Sequence, residues 1–204
     1  MMDEFVYWLG MSAVAVTAAA GVLEAGRKPI DLFGMVLVAL AAGLGGGTVR
    51  DLLLDRTAFW LADGTYLYAA LAAGLATFAA ARVMRLPARL FLLPDAVGLA
   101  LFTVVGTQLG LAHGVPWLGA TFLGVATGVL GGVLRDILCN EVPLVFGGEL
   151  YGTAAWSGAL LMVGLIAAGI AEGIAAVGAA AAILAVRLAA IHWRITLPQF
   201  RALG

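Results

Sequence analysis

The groups best able to handle ions in this chain are two adjacent pairs, Arg50–Asp51 and Arg135–Asp136, each setting a guanidinium beside a carboxylate within long apolar runs. Each pair follows glycines: Gly45, Gly46 and Gly47 in "GGGTVRD", and Gly131 and Gly132 in "GGVLRD". A carboxylate attracts a cation, and an arginine beside it holds it in place and keeps the well shallow enough for the ion to leave. Glycine inside a helix costs about 1 kcal/mol relative to alanine, so both stretches are expected to weaken their helices and free backbone carbonyls. Broken backbone in a bilayer is tolerated only where it is buried in protein or lines a water-filled cavity. Ionisable groups beside such a break mark a polar pathway or a specific buried pair. The plainer reading is that the glycines let helices pack closely and that each pair caps a helix end.

The solvent for most of the chain must be lipid. Of 204 residues, 63% are hydrophobic and 11% charged, with a mean hydropathy of +1.07, and a water-soluble domain of this size needs far more surface charge. The net charge of −1 and the absence of Lys/Arg-rich tails exclude nucleic acid as a partner. Cys139 stands alone, so no disulfide can form within the chain; His113 and His192 lie far apart among apolar residues. With no histidine cluster and no Ser–His–Asp candidate, neither a metal centre nor an enzyme is expected, and no cofactor is implied beyond a permeant K⁺ or Na⁺.

About 18 apolar residues suffice to cross a bilayer as a helix. Runs of that kind fall at 5–23, 32–49, 64–81, 96–112, 114–134 and 150–171, and a seventh covers 173–193 if Arg187 snorkels from its end. The acidic start "MMDEFVYWLG" is unlike a signal peptide, so the first run is expected to stay as a span. Arg27, Lys28, Arg82, Arg85, Arg89, Arg194 and Arg201 fall on one side of such a bundle and little besides Arg56 on the other. That asymmetry predicts a multi-pass membrane protein with its N-terminus outside and its C-terminus cytoplasmic.

"GGGTVRDLLLDRTAF" from Gly45 returns as "LGGVLRDILCNEVPL" from Leu130, an offset of 85 that also superposes Gly21 on Gly106, Gly34 on Gly119 and Gly43 on Gly128. Each copy contains three spans, so the second enters the membrane from the opposite side, which is inverted-topology symmetry. The predicted fold is an all-α membrane protein of seven transmembrane helices in a single domain. Repeat one covers about 5–85, repeat two about 92–170, and the seventh helix about 172–193.

With both copies of the motif in place, together with "EAGRKPIDLFG" after the first span and "PDAVGLALFTVVG" opening the fourth, the sequence resembles the prokaryotic trimeric intracellular cation (TRIC) channels along nearly its whole length. The resemblance implies a homotrimer in the lipid bilayer with an hourglass pore inside each subunit. That pore would be lined largely by kinked second and fifth helices and would pass monovalent cations such as K⁺. Gly45–Gly47 match the first kink and Gly131–Gly132 the second; the second copy carries Leu130 in place of Gly45. Arg50, Asp51, Arg135 and Asp136 match the charged positions after each kink, and Asp95 matches the acid opening the fourth span, opposite Gly10 in the repeat.

The leading expectation is therefore a passive K⁺ channel, with selectivity from freed carbonyls and from the Asp51 and Asp136 carboxylates. The hydroxyls of Ser12, Thr17, Thr48, Thr103 and Thr107 would line or gate the constriction, or else bond their own helices. The alternative is a secondary transporter of a small amino acid such as glycine, because inverted repeats and broken helices mark transporters equally.

Overall fold

The computed structural model of the protein describes residues 2–84, 87 and 89–198. Arg85 and Arg201, counted above in the charge asymmetry, lie outside that range. The described chain folds as helices α1 (Met2–Ala25), α2 (Leu32–Leu53), α3 (Phe59–Ala62), α4 (Thr65–Val83), α5 (Leu92–Ala112), α6 (Trp117–Leu138), α7 (Gly152–Ala167) and α8 (Glu172–Trp193), with a 3₁₀ turn at Leu144–Phe146. Six of these are long and apolar enough to cross a membrane, and α7 is a shorter apolar helix. They correspond to the seven expected spans. The four-residue α3 has no counterpart in the sequence reading, being too short to show a hydrophobic period.

Breaks between helices follow local chemistry. Asp31 caps α2 by accepting from the Gly34 amide at 2.7 Å, and Pro116 precedes the first turn of α6. The chain leaves α2 through Asp55 and α6 through Asn140, which take the left-handed conformation at φ 52° and 54°. Asp and Asn adopt that region more readily than other side chains, and these two positions are equivalent in the repeat.

Buried α5 is the centre of the bundle, packed against α6, α1, α8 and α7, whereas α4 is largely exposed. One core cluster joins Leu99, Val104, Met162 and Ile183; another joins Val14, Val22, Leu44 and Phe102.

At the crossing of α2 and α6 the glycines serve close packing. Both helices run unbroken through their glycines. What the glycines allow is approach: a Cβ on Gly46 would collide with the Thr127 carbonyl oxygen, and one on Gly131 with that of Ala42. The contact is reciprocal, since Gly131 and Thr127 are the repeat equivalents of Gly46 and Ala42. Gly45 lies against Leu134, Gly47 against the Phe59 ring, and Gly132 against the Tyr151 hydroxyl. Tertiary packing at this crossing offsets a propensity cost of about 1 kcal/mol per glycine. The expectation for Arg187 is corrected. It does not snorkel but is fully buried in α8, donating to the Leu150 carbonyl at 3.0 Å and stacking on Tyr151.

Candidate functional site

The two Arg–Asp pairs end α2 and α6 in near-identical geometry. Arg50 Nε donates to Asp51 Oδ1 at 2.9 Å, and Arg135 Nε donates to Asp136 Oδ1 at 2.8 Å. The second oxygens are also taken: Asp51 Oδ2 accepts from the Phe59 amide at 2.8 Å, and Asp136 Oδ2 from the Leu144 amide at 2.9 Å. Each carboxylate thereby ties the end of its helix to the first amide of the short helix that follows, where a helix N-terminus favours negative charge. Both are buried. Each oxygen of Asp51 and Asp136 thus accepts from one fixed donor, which holds the carboxylate in place and leaves it further lone pairs.

The two sites differ in what stands beyond the pair. Arg135 also donates to Asp95 Oδ1, Tyr151 donates its hydroxyl to the same oxygen at 3.3 Å, and the Phe91 ring lies 5.2 Å from the guanidinium. At Arg50, Gly10 and Val6 occupy the positions equivalent to Asp95 and Phe91, and the space they vacate belongs to a cavity of about 250 Å³. Arg50 stacks on Phe59 at 5.3 Å, and among the described residues Asp51 is its only ion-pair partner. Arg56 and Glu172, both exposed, set opposite charges on the cavity wall.

Among the candidate hydroxyls, Thr17, Thr48 and Thr107 bond carbonyls of their own helices at 2.6–2.8 Å. Thr48 also accepts from Trp60 Nε1 at 3.0 Å. Ser12 is exposed on α1 and faces away from the buried side formed by Ala13 and Val14. Thr103 Oγ1 alone among the candidate hydroxyls is buried without a partner. Three further residues escaped the sequence reading. Tyr66 and Tyr151 are equivalent in the repeat and could have been found by extending it past the motif. Gln108 is the only glutamine within a span, and both its polar atoms are buried without partners.

Outside the bilayer segments, Lys28 donates to Glu141 at 2.6 Å, joining the loops after α1 and α6. This bond holds the Glu141 carboxyl below its ordinary value of 4.5. A depressed carboxyl stabilises the fold above that value and loses the contribution as pH falls below it. Because the pair is exposed, E141Q is expected to leave the thermal midpoint almost unchanged at neutral pH.

A bundle of apolar helices carrying two copies of one buried ion-pair site defines a multi-pass membrane protein of inverted-repeat type. Comparison with known proteins gives the family. The family model described as "Glycine transporter" matches residues 7–82 and 92–167, each segment holding one copy of the motif. A UPF0126 membrane protein of Vibrio cholerae is 37% identical over 202 residues, 97% of this chain and 83% of that one. The UPF0126 inner membrane protein YadS of Escherichia coli K12 is 36% identical over 198 residues, 96% of each chain. The solved TRIC trimeric intracellular cation channel orthologue from Rhodobacter sphaeroides superposes with a TM-score of 0.89 at 38% identity, over 93% of this chain and 98% of that one. The chain belongs to this family and has the fold of the TRIC cation channels.

Proposed function

We propose that the protein is a K⁺-conducting channel with a pore inside each subunit of a homotrimer, running beside the crossing of α2 and α6. The observation that carries this reading is a pair of buried polar atoms without partners on the α6-facing side of α5: Asp95 Oδ2 near one end and Thr103 Oγ1 in the middle. At 1.5 Å per residue they span about 12 Å. Buried polar groups in a bilayer call for water or an ion, so a hydrated path between α5 and α6 satisfies both. The likeness to the Rhodobacter sphaeroides channel orthologue supports the same reading. Arg27, Lys28 and Arg194, at the ends of α1 and α8, support the reading of a cytoplasmic C-terminus and an N-terminus outside.

Purified protein in a planar bilayer is expected to give unitary K⁺ currents, with a reversal potential that moves toward the K⁺ equilibrium value in a KCl gradient. The second reading, a secondary transporter of glycine, is favoured by the description of the matching family model. Saturable glycine uptake into proteoliposomes without unitary currents would establish it and overturn the channel.

A further inference from the structure

The two copies of the Arg–Asp site solve the same electrostatic problem differently. A buried guanidinium in a bilayer protein is costly unless fully compensated. In the second copy Arg135 has two carboxylates, Asp136 beside it and Asp95 from α5, and Tyr151 completes the cluster by donating to Asp95. In the first copy Asp51 repeats the role of Asp136 and Tyr66 occupies the position of Tyr151, but Gly10 stands where Asp95 would be. The missing carboxylate leaves room. Arg50, Tyr66, Gly10, Val6 and Gln108 line the cavity of about 250 Å³. A Cβ built on Gly10 would lie 3.5 Å from the Tyr66 hydroxyl.

We propose that this cavity binds a small soluble carboxylate, whose oxygens take the place beside Arg50 and Tyr66 that Asp95 fills beside Arg135 and Tyr151. Gln108 supplies an independent mark of a ligand. It is 6% exposed, lines the same cavity, and has neither its amide nitrogen nor its oxygen bonded. Its repeat equivalent is Leu23, so the polar side chain occurs in the copy with the opening and the apolar one in the copy that supplies its own acid. A carboxylate held by Arg50, donated to by Tyr66 and bonded by the Gln108 amide receives charge-assisted bonds in a low-dielectric site. The proposal goes beyond ion conduction and holds for a channel or a transporter alike.

The test uses the full chain, purified in an uncharged detergent, and follows thermal unfolding at constant ionic strength. Potassium acetate is expected to raise Tm saturably over potassium chloride, by about 5–10 °C at a hundred times its Kd. Glycine should act like acetate, and glycinamide, which lacks the carboxylate, should not. Gly10→Asp builds the missing acid into the chain where the space is open. It should raise Tm without acetate and abolish the acetate shift. Asp95→Gly should open the second copy, lowering Tm in chloride and recovering part of the loss in acetate. No difference between acetate and chloride, or an acetate shift that survives Gly10→Asp, would overturn the proposal. So would stabilisation by phosphatidylserine in nanodiscs with none by acetate, which would assign the cavity to a lipid headgroup.

Discussion

Gly46→Ala is expected to lower the thermal midpoint by several degrees, and Gly46→Leu to abolish recovery of monodisperse protein. A single methyl at Gly46 is directed at the Thr127 carbonyl oxygen, which is part of the α6 backbone and cannot rotate away as a side chain would. Relief requires α2 and α6 to separate, which also strips the reciprocal contact of Gly131 with Ala42. Overpacking in a fitted core costs about 1–3 kcal/mol and sometimes more, and for a chain of this size each kcal/mol moves the midpoint by about 2–4 °C. Gly131→Ala should behave like Gly46→Ala because it meets the equivalent carbonyl. Gly164→Ala supplies the opposite sign: it lies within α7 with nothing within 4 Å of a new Cβ. There alanine should gain up to about 1 kcal/mol of helix propensity. Thermal unfolding followed by tryptophan fluorescence in detergent measures the three alanine variants, and size-exclusion chromatography measures Gly46→Leu. A Gly46→Ala midpoint equal to that of the parent protein would show that the crossing is looser than its geometry implies.

The spans were legible because a bilayer imposes a length and an apolar composition that no packing detail can disguise. The repeat was legible because an offset of 85 returned glycines and charges together. What the glycines do was not. Helix propensity and close packing both select glycine, and only the facing carbonyls of Thr127 and Ala42, distant in sequence, decide between them. The roles of Asp51 and Asp136 were hidden for a related reason. Their second partners are backbone amides of Phe59 and Leu144, and an amide has no residue type to read. The inward turn of Arg187 likewise depends on the Leu150 carbonyl and the Tyr151 ring on a neighbouring segment. By contrast, the difference between Asp95 and Gly10 was visible in the aligned repeats; its consequence became readable only once Tyr66 and Gln108 were seen around the opening.

That same difference separates two substitutions that the local geometry makes look alike. Asp51→Asn and Asp136→Asn each remove a buried carboxylate that holds an arginine and a backbone amide. Asp136→Asn leaves Arg135 paired with Asp95, so the charge stays compensated and the main loss is one charge-assisted bond. Asp51→Asn leaves Arg50, 4% exposed, with no ion-pair partner among the described residues. Removing one partner of a buried pair costs about 3–5 kcal/mol because the other charge is stranded. Asp51→Asn is therefore expected to lower the midpoint by on the order of 10 °C, and Asp136→Asn by clearly less. Both carboxylates are committed to fixed donors, so the Asp136→Asn protein should keep the parent's reversal potential in a KCl gradient. Equal losses of stability would show that the empty side of Arg50 is compensated by water alone. A reversal potential shifted toward zero in Asp136→Asn would return that carboxylate to the ion path.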